Sequence, residues 1–125
     1  MDPTTTAAAA PSQAMPIALN LVAALVGAAG QYAYKRGAAQ LSTTPLPRNG
    51  SLLAGILLFC VVMGLFVWGY KLGGRLSVVY PMYATTFLWG TAIGVLVDGE
   101  RWSPMQLGGS LVVVVGLALV AAGAP

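Results

Sequence analysis

The chain has 125 residues, of which 58% are hydrophobic and only 7% charged, with a formal net charge of +3. A soluble domain carries roughly 25% charged residues, so this composition, with four long apolar runs filling most of the length, excludes an ordinary soluble domain and leaves no room for a separate one. Histidine is absent and Cys60 is the single cysteine, which removes zinc sites, imidazole acid–base chemistry and internal disulfides; no metal, cofactor or nucleic-acid partner is expected.

Residues 1–15, MDPTTTAAAAPSQAM, are small and polar with two prolines and read as a disordered N-terminal tail. No lysine or arginine precedes the first apolar run, so a signal peptide is not expected. The first helix is predicted over about 16–36, opening at Pro16, a residue suited to a first helical turn. Its apolar stretch from Ile17 to Tyr34 covers about 27 Å at 1.5 Å per residue, close to the roughly 30 Å hydrocarbon core. Asn20, Ala24, Gly27, Ala28, Gln31 and Lys35 fall on one face at helical spacing. That stripe serves either as a packing surface whose lysine snorkels to the headgroups, or as a site where Gln31 and Lys35, neighbours four apart, hold a polar or anionic group at the membrane edge.

Residues 37–51 form a loop with turn residues Pro45, Pro47, Asn49 and Gly50. The second helix is predicted over about 52–70, without a charged residue, and Trp68 and Tyr70 sit where an aromatic interface belt belongs. The short basic turn Lys71 to Arg75 makes the second and third helices antiparallel neighbours. The third helix is predicted over about 76–97. Pro81 lies inside it, removes one backbone hydrogen bond and predicts a kink there. Tyr83, Thr86, Gly90 and Gly94 share one stripe, which suits a cavity lining as well as helix packing. Asp98, Gly99, Glu100 and Arg101 follow as a charged hairpin, with Trp102 a second belt residue. Ser103, Pro104 and Gln106 then give a capped helix start, and the fourth helix is predicted over about 104–122. Gly109 and Gly116 lie on one of its faces, where glycines let another helix approach closely; a dimer interface is expected there.

The runs GQYAYKRGA (30–38), SVVYPMYATTFLWGTAIGVLVDGE (77–100) and SPMQLGGSLVVVVGLALVAAG (103–123) resemble the small four-helix members of the drug/metabolite transporter superfamily. The likeness is greatest to the flippase subunits for aminoarabinose-phosphoundecaprenol, relatives of the small multidrug resistance exporters. It covers most of the chain after Pro16 and is specific in the Gly-Gln…Lys end of the first helix and the Val-Tyr-Pro-Met start of the third; the N-terminal tail and first loop match nothing in it. The resemblance implies an all-α integral membrane protein with four transmembrane helices in a small multidrug resistance-like bundle. It further implies a homodimer, or a heterodimer with a similar small membrane protein, in the bacterial inner membrane. Such a subunit moves a lipid-linked sugar phosphate between leaflets and is not an enzyme. Gln31, Lys35, Tyr80 and Pro81 fall on the family pattern, but the sugar does not carry over. With the stripe residues Tyr83 and Thr86 added, the expected substrate contacts are Gln31, Lys35, Tyr80, Tyr83 and Thr86.

The residues also discriminate between branches. A proton-coupled cation exporter needs an acid inside the membrane, and the multidrug branch is known for a glutamate in its first helix. Here the first helix has neither Asp nor Glu, and the only acids outside the tail are Asp98 and Glu100, in a loop. Lys35, Arg36, Lys71 and Arg75 at the membrane edges suit an anionic headgroup instead. The alternatives are a multidrug-type exporter of small solutes and a non-transporting scaffold subunit. Loops one and three carry Lys35, Arg36, Arg48 and Arg101, against Lys71 and Arg75 in loop two, a small bias toward both termini outside.

Overall fold

Small residues along one face of the first helix let the second helix and the two halves of the expected third span pack against it. The structure, a computed structural model, describes residues 11–124. Within these lie α1 (Ala14–Ala39), a short 3-10 turn (Leu46–Arg48), α2 (Gly50–Lys71), α3 (Leu76–Tyr83), α4 (Thr86–Leu96) and α5 (Pro104–Ala122), with no strand among the described residues. Three of the helices, α1, α2 and α5, are long and apolar enough to cross a membrane, which fits a multi-pass helical membrane protein.

Most of the expected tail, residues 1–10, lies outside the described residues. Its end is held in place: Gln13 is buried, its amide nitrogen donates to the Gly73 carbonyl at 3.1 Å, and its carbonyl accepts from the Arg75 N–H at 2.8 Å. One glutamine thus ties the start of α1 to the turn between α2 and α3. The helix begins two residues before Pro16 and continues three beyond Arg36, for 26 residues in all. At 1.5 Å per residue that is about 39 Å, longer than the roughly 30 Å hydrocarbon core, so its last turns reach past the apolar layer.

Helices α1 and α2 pack antiparallel and form the largest interface. Glycines on each make sockets for aromatic rings of the other. A Cβ added to Gly30 would lie 2.8 Å from the Phe59 ring, and one on Gly55 would collide with Tyr34. The two rings stack with centroids 5.1 Å apart. At the loop end, wholly buried Asn49 caps α2 by accepting from the Leu52 N–H at 3.1 Å, and its amide donates to the Gly37 carbonyl at 2.8 Å. At the other end, buried Asn20 donates to the Pro16 carbonyl at 2.9 Å and packs on Gly69.

The expected third span consists of two helices, α3 with 8 residues and α4 with 11, each shorter than the roughly 20 residues a crossing needs. Pro81 lies inside α3, and the interruption comes three residues after it, at Ala84 and Thr85. There the backbone tightens to 3-10 bonding: the Ala84 N–H donates to the Pro81 carbonyl at 2.9 Å and the Thr85 N–H to the Met82 carbonyl at 3.2 Å. The Thr85 hydroxyl also donates to the Met82 carbonyl, at 3.0 Å. A threonine that bonds back to the preceding turn bends a helix. Pro81 withholds a bond from the turn before it, so the ladder is weakened on both sides of Met82.

Buried Val78, Val79 and Met82 of α3, with Ala23, Ala24 and Ala28 of α1, make up most of the core. Helix α5 starts with the expected capping box: the Ser103 hydroxyl accepts from the Gln106 N–H at 3.2 Å and the Ser103 N–H donates to Gln106 Oε1 at 2.8 Å. It touches chiefly α3 and has no buried residue.

Candidate functional site

The far end of the small stripe of α1 meets α4, and there the two helices line a half-open cavity of about 120 Å³. Ala28, Gln31, Tyr32 and Lys35 line it from α1, and Gly90, Ile93 and Gly94 line it from α4. The absent side chains at Gly90 and Gly94 leave this space open. Asp98 and Glu100, just beyond α4, complete the lining.

Lys35 meets both acids. Its Nζ donates to Asp98 Oδ2 at 2.7 Å and to Glu100 Oε1. The Lys35 and Glu100 side chains are each 54% exposed and that of Asp98 is 28% exposed. Water screens pairs this exposed, so they add little to stability and can open. The backbone at the end of α4 sets the acids in place. The Val97 N–H donates to the Ile93 carbonyl at 2.8 Å, the Glu100 N–H reaches back to the Gly94 carbonyl at 3.0 Å, and Gly99 supplies the left-handed residue at φ 67°. A Cβ at Gly94 would lie 2.7 Å from Glu100 Oε2, so glycine there gives the carboxylate its room.

Arg36, one residue on, turns to its own helix: Nη1 donates to the Tyr32 hydroxyl at 3.1 Å, and the guanidinium lies 5.8 Å from that ring's centre. The positive charge on the cavity wall therefore comes from Lys35.

The expected contact residues divide. Gln31 and Lys35 share the cavity; Tyr80, Tyr83 and Thr86 do not line it. Tyr83 packs instead on Gly27, where any Cβ would collide with its hydroxyl, and on Phe66, with ring centroids 5.0 Å apart. Tyr80 is 64% exposed and lies with Met63, Phe66 and Tyr70 along an apolar groove between α2 and α3. Thr86 is half-buried at the start of α4. Around Gly109 and Gly116 the space is open, with nothing within 4 Å of an added Cβ.

Asp98 and Glu100 are the site residues that reading the sequence misses. The signal was available: in an alternating bundle the first helix ends on the side where the third ends, so the acids after the third face the lysine closing the first. Among the described residues no group of three or more histidines, cysteines or acids comes together to hold a metal ion. The ammonium, the Gln31 amide and the Tyr32 phenol share the opening with two carboxylates, so an external anion reaches Lys35 there only in competition with Asp98 and Glu100. The chain matches no protein-family model, no curated protein and no solved structure.

Proposed function

We propose that this chain is a transporter subunit that moves a polyprenyl-phosphate-linked sugar, or a related lipid with an anionic headgroup, between the leaflets of a bacterial inner membrane, without covalent chemistry. In this reading α3 and α4 together make one crossing, giving four spans. The subunit pairs with a second copy or a similar small partner. The resemblance of the 30–38 and 77–100 runs to lipid-sugar flippase subunits motivates the reading. The observation that carries it is the Lys35 cavity: a cation and an amide at the end of a helix that outreaches the apolar layer, opposite glycines of α4. A phosphate there meets Lys35 by a charge-assisted hydrogen bond while the prenyl tail stays in lipid.

The five helices contain no Asp or Glu, which disfavours proton-coupled drug export through a mid-membrane carboxylate. The test is reconstitution in vesicles, with flipping of a fluorescent polyprenyl-phosphate sugar as the readout. Lys35→Met is expected to lower headgroup affinity about tenfold, the low end for one charge-assisted bond because the ammonium is half exposed. Arg36→Met is expected to be mild, because Arg36 lies on Tyr32. Wild-type flipping by a well-folded Lys35→Met protein overturns the site. Robust exchange of a quaternary ammonium ion against a pH gradient overturns the function in favour of an exporter.

A further inference from the structure

Resting on that reading, we propose that the Asp98-Gly99-Glu100 turn is a gate: its two carboxylates act as an internal anion on Lys35, and the headgroup phosphate must displace them to bind.

Four observations converge on this. The first is occupancy. A lysine ammonium has three donors, and Asp98 and Glu100 take two of them, offering the oxygen acceptors that a phosphate would offer. The second is that the turn does not need its acids. It is held by main-chain bonds from Val97 to Ile93 and from Glu100 to Gly94, with Gly99 in the left-handed region. The carboxylates are thus surplus to the turn. The third is room: glycine at position 94 lets the Glu100 carboxylate lie over the end of α4, where an added Cβ would sit 2.7 Å from its Oε2. The fourth is size. The cavity with the carboxylates in place measures about 120 Å³, whereas sites for drug-sized ligands begin near roughly 300 Å³. The carboxylates take up the space beside the Lys35 ammonium, so a phosphate gains those two donors only when the turn withdraws.

Exposure makes the withdrawal feasible, because solvent-screened ion pairs open at small cost. An internal competitor lowers apparent affinity by the fraction of time the site is free. Removing it should therefore tighten binding. A clasp that merely holds α4 against α1 would do the opposite, since cutting it would loosen the cavity and weaken binding.

The experiment uses the full chain in lipid nanodiscs, with farnesyl phosphate, a short polyprenyl monophosphate, as the probe, and inorganic phosphate as a second probe. Asp98→Asn with Glu100→Gln is expected to bind farnesyl phosphate about tenfold more tightly than wild type, as for a site free about a tenth of the time. Glu100→Gln alone, the milder change, is expected to move affinity the same way by less. Adding Lys35→Met is expected to abolish the gain, because the acids act through that ammonium; this closes a double-mutant cycle. A gain shared by inorganic phosphate supports the gate and assigns the competition to the phosphate group alone. A gain confined to farnesyl phosphate supports it and assigns the site to lipid. Equal or weaker binding by the folded acid variants overturns the gate, as does a gain that persists without Lys35, which would be a general charge effect. Wild-type binding that Lys35→Met abolishes, with no gain from the acid variants, removes the gate and leaves the phosphate site standing. No farnesyl phosphate binding by any variant removes both.

Discussion

Asn49 joins two helices with one amide, and each half of it has a separable value. Its oxygen caps α2 and its nitrogen bonds the Gly37 carbonyl of α1 while wholly buried. Asn49→Ala should cost about 1 kcal/mol for the cap and about another 1 kcal/mol for the carbonyl left without its donor. Asn49→Ser can still cap but cannot reach Gly37, so it should lose about half as much. Denaturant titration of the detergent-solubilised protein gives the comparison, and equal losses for Ala and Ser would mean that the cap contributes nothing. Asn49 was legible in the sequence as a turn residue beside Gly50. Its bond to Gly37 was not, because that bond depends on how closely the two helices approach. Gln13 shows the same limit. A polar residue in a small, proline-bearing stretch looks like tail, and only the position of Gly73 and Arg75 in space makes it a tie.

Between elements, the close approaches are set by glycines, and the stripes made only Gly27 readable: Gly30, Gly37, Gly55 and Gly69 lie on none of them, while the stripe glycines Gly90, Gly109 and Gly116 have nothing within 4 Å of an added Cβ. Gly27 on the first stripe and Tyr83 on the third do meet, but as a packing contact: the tyrosine spends its ring on Gly27 and Phe66. Gly27→Ala is expected to destabilise by about 1–3 kcal/mol through overpacking. Adding Tyr83→Phe, which removes the nearest colliding atom but leaves ring carbons 3.0 and 3.2 Å away, should recover part of the loss; thermal unfolding of the two proteins decides, and no recovery would place the strain elsewhere. The break between α3 and α4 was half legible. Pro81 announces a weakened ladder, but its exact site depends on the Thr85 hydroxyl choosing the Met82 carbonyl, a local competition that helical periodicity does not report.

For the whole molecule, the uneven distribution of burial is the feature to account for. Helix α1 lies at the centre with α2, α3 and α4 against it, while α5 keeps no residue buried and presents Gly109 and Gly116 to open space. In the proposed dimer that face meets the partner, where glycines permit the close approach that drives association in lipid. Replacing both glycines by leucine should reduce cross-linking between copies in bilayers and leave the α1–α2 pair folded. Undiminished cross-linking would move the interface off α5. That α5 is a capped, apolar helix was plain from Ser103, Pro104 and Gln106. Its slight packing, chiefly on α3, was not, since an all-apolar helix looks alike whether it faces protein or lipid.

The ties that hold the molecule together also differ in when they can form. The Asn49–Gly37 bond spans 12 residues, whereas Gln13 waits for Gly73, 60 residues on, and Lys35 waits for Glu100, 65 residues on. At the roughly 5–20 residues per second of synthesis, Glu100 follows Lys35 by about 3–13 s. A nascent chain therefore completes the α1–α2 hairpin early and holds Lys35 without its acids for seconds. During that interval the lysine is an uncompensated positive charge beside the membrane, free to act on which way the hairpin inserts before its carboxylates have been made.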